Sequence, residues 1–217
     1  RILEKLGEGG MGVVYKAHDD KLDRDVALKF LHPHSVASEK EAARFQQEAR
    51  ALSALNHPNI ATIHHIEESD NGAFLVLEYL PCGTLKSRID QLYSSGEQLP
   101  LSEIIECSLQ MTEGLAHAHR EGIIHRDIKT ENVMLTKEGR VKITDFGLAK
   151  LQAGAQLTKS GHVVGTVAYM SPEQIRGDDV DHRADLFSLG IVLFELCTGR
   201  LPFRGEHEAA LGYSIVN

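Results

Sequence analysis

The spacing of apolar positions along the chain changes near Glu78. Before that residue, apolar and β-branched residues come in short runs separated by glycine, aspartate and asparagine turns, which is typical of strands. These runs predict strands over residues 3–6, 13–17, 25–31, 60–66 and 73–79. Segment 39–55 differs, because Ala42, Phe45, Ala49 and Leu52 recur at intervals of three and four residues. We expect one helix there, between the third and fourth strands.

Helical periodicity dominates after Glu78. The pattern predicts a helix over 101–120 with a capping serine, Ser102, at its start, and a third helix over 208–216. Between them, 184–197 is so apolar that we expect a helix at the centre of its lobe. The face expected to be buried in helix 101–120 comprises Leu101, Ile104, Ile105, Ser108, Leu109, Thr112, Leu115 and Ala116. The chain is thus expected to have a small β-rich lobe over 1–77, a connector over 78–84 and a larger helical lobe over 85–217.

Composition and charge narrow the function classes. The 217 residues carry a net charge of −8 and no lysine or arginine run, so we expect no nucleic-acid partner, which would need a basic stripe. Cys82, Cys107 and Cys197 have no metal-ligand or disulfide-framework spacing, and the histidines form no zinc pattern. A reducing cytoplasm is the expected setting. We expect no signal peptide and no membrane segment within the chain, while an anchor outside it stays open.

A glycine-rich segment separates the first two predicted strands. It reads Gly7-Glu8-Gly9-Gly10-Met11-Gly12. In a dinucleotide-binding fold such glycines open a helix, but here the strand-like run 13–17 follows. Glycines in a hairpin let backbone N–H groups approach a polyphosphate without a Cβ in the way. Taken alone, the motif is also the pattern of a flexible hairpin turn.

Lys29 lies at the end of the third predicted strand. At this distance after the glycine hairpin it can reach an α- or β-phosphate, whereas a lone strand lysine is usually a solvated edge residue. Glu48, in the predicted helix, is its candidate acidic partner. It lies between Phe45 and Leu52 on the core-facing side, where an unpaired carboxylate is costly. A weak ion pair on the helix surface is the alternative interpretation.

The most informative segment follows a short apolar run at residues 122–124. It reads His125-Arg126-Asp127-Ile128-Lys129-Thr130-Glu131-Asn132, and Asp145-Phe146-Gly147 comes thirteen residues after its end. Phosphoryl transfer needs these groups. Asp127 can accept the proton of a substrate hydroxyl or orient that hydroxyl, and Lys129 can neutralise charge on the γ-phosphate. Asn132 and Asp145 offer hard oxygen ligands for Mg²⁺.

Together these motifs resemble the signature set of eukaryotic-type serine/threonine protein kinases, most closely the bacterial members. The resemblance covers residues 1–217, with Ser171-Pro172-Glu173 where the family has Ala-Pro-Glu. It implies the two-lobed protein-kinase fold, class α+β, with a small antiparallel β-rich lobe and a larger, mainly helical lobe. It also implies transfer of the γ-phosphoryl group of ATP to serine and threonine hydroxyls of proteins, with Mg²⁺ or alternatively Mn²⁺. Thr130 replaces the family's proline, and because Lys129 and Asn132 are kept we expect little effect.

The same resemblance assigns an ATP site residue by residue. The phosphates are expected against Gly7, Glu8, Gly9, Gly10, Met11, Gly12, Lys29 and Asp145, and the adenine ring between Val14, Ala27 and Met134. The backbone of Glu78 and Leu80 is expected to meet the adenine edge, with Leu77 before a rear pocket. Leu52, His125 and Phe146 are expected to form an apolar stack linking the lobes, with Asp185 as its anchor.

Substrate preference and regulation follow from the resemblance too. Lys129 and segment 165–173 imply serine/threonine preference, because Thr166 is expected to bond near Asp127 and to exclude a tyrosine ring. In kinases of this type the residue at Arg126 tends to receive a phosphate from the activation segment. Thr158 and Ser160 lie in a polar stretch before the docking segment, so we expect one copy to phosphorylate another there.

Three alternatives stay open: a pseudokinase, a small-molecule kinase and a nucleotide-independent interaction domain. Pseudokinases usually lack Lys29, Asp127 or Asp145, and small-molecule kinases often differ at Arg126. The resemblance further implies that Glu173 pairs with an arginine well beyond helix 208–216. We therefore expect the chain to be a fragment of a longer protein, truncated within or after that helix and poorly soluble or weakly active alone.

Overall fold

The computed structural model describes residues 1–9, 12–31, 51–69, 72–146 and 167–217. Several residues with expected roles lie outside these ranges: Gly10, Met11, Glu48, Thr158, Ser160 and Thr166. Their roles remain predictions. Most of the helix predicted over 39–55 also lies outside the described residues, although its residues 51–53 are helical.

A five-stranded antiparallel sheet forms the N-terminal lobe, as predicted. Its strands are β1 (Ile2–Gly9), β2 (Gly12–Asp19), β3 (Arg24–Leu31), β4 (Ile63–Ser69) and β5 (Gly72–Glu78), in the order β1-β2-β3-β5-β4. Most strands extend past the apolar runs, because the hydrogen-bonded ladder continues into the polar residues that flank them. On the central strand β3, Val26 and Ala27 are buried, and Lys29 pairs with Val14 on one side and Leu75 on the other.

The start of β4 corrects one prediction, since this strand begins at Ile63 and not at Ile60. Ile60 forms an isolated bridge with Ile143, and Ala61 donates its backbone N–H to the carbonyl of Ile143 at 2.9 Å. The N–H of Ile143 in turn donates to the carbonyl of Asn59 at 2.9 Å. These residues therefore join the sheet lobe to the helical lobe instead of lengthening the strand.

Five helices and a small sheet make up the described helical lobe. The helices are α1 (Leu85–Ser94), α2 (Leu101–Arg120), α3 (Pro172–Arg176), α4 (Arg183–Thr198) and α5 (Glu208–Val216). A 3₁₀ turn (Thr130–Asn132) leads into the antiparallel pair β6 (Val133–Leu135) and β7 (Val141–Ile143). The predicted bounds of α2 and α5 are confirmed, and α4 is one residue longer at each end. Sequence periodicity did not predict α1 or α3, both of which are short.

The buried face of α2 differs from the predicted one. Leu101, Ile105 and Leu109 are 69%, 58% and 54% exposed. The residues that α2 buries are Ile104, Cys107, Gln110, Met111, Gly114, Leu115 and Ala118. This stripe includes a glutamine and a glycine because Gln110 bonds Asn59 and the backbone of Val141, while Gly114 packs against the carbonyl of Asn59. The start is also corrected, since the N-cap is Pro100 with no side-chain cap.

Helix α4 lies in the core of the helical lobe, as its composition predicts. Ala184, Val192 and Leu196 are completely buried. Val192 and Leu196 belong to one hydrophobic cluster with α2, β6 and β7, so α4 supports the loop that precedes β6. In the described ranges, every helix is too short or too polar to cross a membrane.

Candidate active site

In the hairpin between β1 and β2, two of the described glycines have open space where a side chain would lie. A Cβ added to Gly7 or Gly9 would meet no atom within 4 Å. Gly12 differs, because its φ is +150° and an added Cβ would lie 1.9 Å from the carbonyl oxygen of Phe30 on β3. Gly12 is therefore required by the close approach of two strands. At Gly7 and Gly9 no Cβ occupies the space through which a polyphosphate would approach.

Lys29 is buried on β3, and its Nζ lies 2.7 Å from Asp145 Oδ1. Burial on its own raises the pKa of Asp145, but the charge and hydrogen bond of Lys29 outweigh this and hold that pKa below its ordinary value. Asp145 is therefore a carboxylate at neutral pH. The contact joins the sheet lobe to the loop after β7. The predicted partner Glu48 lies outside the described residues.

The loop before the 3₁₀ turn is held by a buried carboxylate on α4. Asp185 Oδ2 accepts the backbone N–H of His125 at 2.8 Å and lies 2.7 Å from His119 Nε2. Asp185 Oδ1 accepts the backbone N–H of Arg126 at 2.7 Å. Arg126 has a φ of +67°, a left-handed conformation that costs about 1 to 3 kcal/mol for a non-glycine residue. The two hydrogen bonds from the backbone fix this conformation and aim the next residue, Asp127.

His125 uses both ring nitrogens, which sets its tautomer. Its Nε2 lies 2.8 Å from the carbonyl of Thr144 and must donate, since a carbonyl only accepts. Its Nδ1 therefore accepts the backbone N–H of Asp127 at 3.2 Å. The ring packs against Phe146 at a centroid distance of 4.5 Å. The predicted apolar stack thus includes a contact between His125 and Phe146, and Asp185 anchors it.

Two side chains of the loop contact the carboxylate of Asp127. Lys129 Nζ lies 2.9 Å from Asp127 Oδ2. Asn132 donates from Nδ2 to the same oxygen at 3.0 Å and to the Asp127 carbonyl at 2.8 Å. The structure therefore brings together the three residues that the loop sequence predicts. The 3₁₀ turn produces this arrangement, because it curls Asn132 back over the start of the loop.

Asn132 and Asp145 suit a small divalent cation. Asn132 uses its amide nitrogen on Asp127, so its Oδ1 is left as an acceptor. Thr144, next to Asp145, donates its N–H to the carbonyl of Asn132 at 2.8 Å, which places the two candidate ligands side by side. No cluster of three His, Cys, Asp or Glu side chains suited to a metal occurs among the described residues. Two protein oxygens completed by phosphate oxygens are the usual arrangement for Mg²⁺.

The residues predicted to surround adenine come from three neighbouring elements. Val14 on β2 pairs with Lys29, and Ala27 on β3 pairs with Leu77 on β5. Met134 on β6 bridges Thr84, the residue that caps α1 after the connector. Leu77 lines a cavity of about 50 Å³ together with Asp145 and other residues. The structure therefore places Val14, Ala27 and Met134 on neighbouring elements, and their contact with adenine stays a prediction.

At the connector, the backbone N–H and the carboxylate of Glu78 both form hydrogen bonds with other groups of the protein. Its N–H donates to the carbonyl of Thr62 at 2.9 Å. Its Oε2 accepts from the N–H of Thr62 at 3.1 Å and from Lys142 Nζ at 2.8 Å. The side chain of Glu78 is therefore occupied by contacts within the protein. That the backbone of Glu78 and Leu80 meets the adenine edge stays a prediction.

Comparison with known families matches the protein kinase domain over residues 1–217. The chain belongs to the protein kinase family. Proteins of this family use ATP and divalent metal ions for phosphoryl transfer. Among the relatives, a probable serine/threonine-protein kinase of Streptomyces coelicolor is 42% identical over 97% of this chain and 32% of its own length.

Two further relatives are serine/threonine-protein kinases of other bacteria. PrkC of Bacillus subtilis is 40% identical over 97% of this chain and 32% of its own length. PknL of Mycobacterium tuberculosis is 37% identical over 98% of this chain and 52% of its own length. The chain therefore spans about a third to a half of the length of these relatives.

Sequence patterns did not single out three residues that support the loop of this kinase domain. His119 on α2 contacts Asp185, and Gln174 on α3 donates to the carbonyl of Arg126 at 2.8 Å. Glu195 on α4 contacts Thr130 in the 3₁₀ turn. Only Gln174 has a local signal, because Ser171 and Gln174 have the spacing of a capping box. The other two come from helices distant in sequence.

Proposed function

We propose that this chain transfers the γ-phosphoryl group of ATP to serine and threonine hydroxyls of proteins. The observation that carries the proposal is the Asp127 carboxylate, which Lys129 and Asn132 contact while Asp185 fixes the backbone just before it. In this proposal Asp127 orients the attacking hydroxyl or takes its proton, and Lys129 neutralises charge on the transferring group. A binding module would not need this arrangement.

The nucleotide is proposed to lie between the sheet and β6. Lys29 meets the α- and β-phosphates, while the open sides of Gly7 and Gly9 let the backbone approach them. Asn132 and Asp145 are proposed to hold Mg²⁺, with Mn²⁺ as the alternative. The ion neutralises negative charge on the phosphates when it is bound.

The resemblance to serine/threonine kinases supports the proposed substrate choice, and the guanidinium of Arg126 supports the proposed regulation. Lys129 is the residue type of serine/threonine kinases, and Thr166, outside the described residues, is the proposed docking contact. Arg126 forms no salt bridge with any carboxylate in the described part of the chain, so its guanidinium is available to a phosphate. We propose that Thr158 or Ser160 of one copy is phosphorylated by another copy and supplies that phosphate. A cytoplasmic location is proposed from the sequence alone.

An acceptor competition tests the proposal. The full chain is incubated with ATP·Mg²⁺ and a generic basic protein, an aminoglycoside or choline, and mass spectrometry locates the transferred phosphate. Phosphoserine and phosphothreonine on the protein are expected. Phosphate on the small molecules would indicate a small-molecule kinase, whereas no transfer with a melting temperature raised by ATP·Mg²⁺ would indicate a pseudokinase. No transfer and no shift would indicate an interaction domain.

A further inference from the structure

Thr130 departs from the family pattern and is completely buried. It stands where the family usually has proline, between Lys129 and Glu131 in the loop that carries Asp127. Its exposed fraction is 0%. A buried hydroxyl needs hydrogen-bond partners, because without them its removal from water is unfavourable. The sequence alone suggests little effect of this replacement, but the contacts of the hydroxyl point to a role.

The hydroxyl of Thr130 joins a buried polar cluster drawn from three segments. Thr130 Oγ1 lies 3.1 Å from Glu195 Oε2 on α4 and 3.0 Å from Tyr169 Oη, just before α3. Tyr169 Oη also donates to Glu195 Oε2 in a short hydrogen bond. A longer contact of 3.4 Å joins Thr130 Oγ1 to the carboxylate of Glu131. Tyr169 and Glu195 are both 3% exposed.

We infer that Thr130 is a positioning residue that ties the catalytic loop, through Glu195, to the segment containing Tyr169. Proline at this position could make none of these hydrogen bonds, since it has no hydroxyl. This link matters because Lys129 precedes the 3₁₀ turn, Asn132 is its last residue, and both contact Asp127. Tyr169 lies within segment 165–173, the predicted docking segment. Thr130 therefore fixes the distance between the protein substrate and Asp127.

The number of protons on Thr130 and Tyr169 allows both hydroxyls to bond the carboxylate of Glu195 at the same time. Two hydroxyls carry two protons, and three oxygens lie within bonding distance of one another: Thr130 Oγ1, Tyr169 Oη and Glu195 Oε2. An ionised Glu195 can accept both protons, which holds the two hydroxyls together although neither donates to the other. Removing either hydroxyl leaves the buried carboxylate with one donor fewer and weakens its charge as an acceptor for the other. The contributions of the two hydroxyls are therefore coupled.

The pKa of Glu195 lies above its ordinary value, so its ionised form depends on nearby donors and cations. Burial raises the pKa of Glu195, and the hydrogen bonds from Tyr169 and Thr130 work against that rise. Lys86 on α1 adds a cation, with its Nζ 3.8 Å from Glu195 Oε1. Because Lys86 also pairs with Asp90, it does not neutralise Glu195 alone. The hydroxyl of Thr130 is therefore one of few groups that stabilise this charge.

The inference rests on the proposed kinase function, and its test separates the two. Steady-state constants for a peptide substrate and for ATP are measured in the full chain for wild type, Thr130→Val and Thr130→Ser. Thr130→Val should lower kcat/KM for the peptide about tenfold and change KM for ATP less than about twofold. Thr130→Ser, which keeps the hydroxyl, should recover to within about twofold of wild type. Thr112→Val is the matched control, because that hydroxyl donates to the carbonyl of Ser108 within the same helix, α2.

Tyr169→Phe gives a second route if Thr130→Val does not fold. It should show the same selective loss for the peptide, and the double variant should lose little more than either single variant. Equal kinetics of Thr130→Val, Tyr169→Phe and wild type would overturn the inference, as would parallel losses for peptide and ATP that serine fails to rescue. Normal turnover by an Asp127→Asn variant would instead contradict the proposed function itself.

Discussion

Lys29 Nζ lies 2.7 Å from Asp145 Oδ1, although 116 residues separate them along the chain. One group is on the central strand of the sheet lobe, and the other follows β7 in the helical lobe. A cation and a carboxylate so placed at the lobe boundary can hold a phosphate and a metal ion next to each other. The relative position of the two lobes therefore determines whether the site is complete.

Replacing Lys29 with methionine should lower phosphotransfer by about 10²–10³ with little loss of folded protein. The variant removes the charge expected at the phosphates and leaves Asp145 without that partner, so the pKa of Asp145 should rise. Initial rates with saturating ATP measure the loss. Lys137→Met is the matched control, because Lys137 is exposed in the turn between β6 and β7. Comparable losses in both variants would contradict the role of Lys29.

Asp185→Asn should destabilise the fold in a pH-dependent way. Burial raises the pKa of Asp185, but His119 and the backbone N–H groups of His125 and Arg126 outweigh it, so the pKa lies below the ordinary 3.8. A depressed carboxyl pKa stabilises the protein above the unfolded-state value and loses that effect as pH falls through the folded-state value. The substitution should therefore cost about 3 kcal/mol at pH 7, and less below pH ~4.

Denaturant unfolding of both proteins between acid and neutral pH measures this difference. Asp179→Asn serves as the control, because Asp179 is exposed and the change should leave stability nearly constant at every pH. A destabilisation by Asp185→Asn that stays equal at pH 3 and pH 7 would show that the carboxylate charge is not the cause.

Leu115→Ala should cost about 2–5 kcal/mol of unfolding free energy, because Leu115 is 1% exposed in the core. Leu109→Ala, on the same helix but 54% exposed, should change stability by less than about 0.5 kcal/mol. Chemical unfolding curves decide between the observed and the predicted buried face of α2. Equal losses in the two variants would favour the predicted face.

Helix α2 shows that the sequence can predict the length of a helix without predicting which of its faces is buried. Its length follows from local periodicity, but it carries two apolar stripes, and only contacts with α4 and β7 select the one through Met111 and Leu115. Helix α1 was not predicted, because its ten residues are polar on average and only Leu85, Ile89 and Leu92 are buried, although Thr84 and Ser87 form a capping box at its start.

Site residues that are close together in the sequence could be predicted, whereas those that are far apart in the sequence could not. Asp127, Lys129 and Asn132 lie within six residues, so one local segment reveals them together. Their support is different, because Asp185 and Glu195 reach the loop from α4, about 60 residues away. The link from Thr130 through Tyr169 to Glu195 joins three segments whose proximity only the fold establishes.

Changing Thr158 and Ser160 to alanine together should lower both self-phosphorylation and activity. Asp185 holds the backbone of Arg126, which has a φ of +67°. In our proposal the guanidinium of Arg126 binds the phosphate on Thr158 or Ser160. Mass spectrometry after incubation with ATP gives the stoichiometry, and a peptide assay gives the activity. A Thr112→Ala/Thr198→Ala variant is the control for general loss of hydroxyls, since both hydroxyls bond backbone groups no more than four residues away. Unchanged stoichiometry and activity would rule out these sites.

In the proposed mechanism, Asp127 directs a protein hydroxyl toward the γ-phosphate of ATP. The most direct test of this role is phosphate transfer to protein serine and threonine by purified Asp127→Asn, measured beside wild type with the ATP affinity of both. Turnover should fall by roughly 10²–10⁴, the scale expected for losing a base or hydroxyl-orienting group, while ATP binding stays nearly intact. Near-normal transfer by Asp127→Asn would contradict this role.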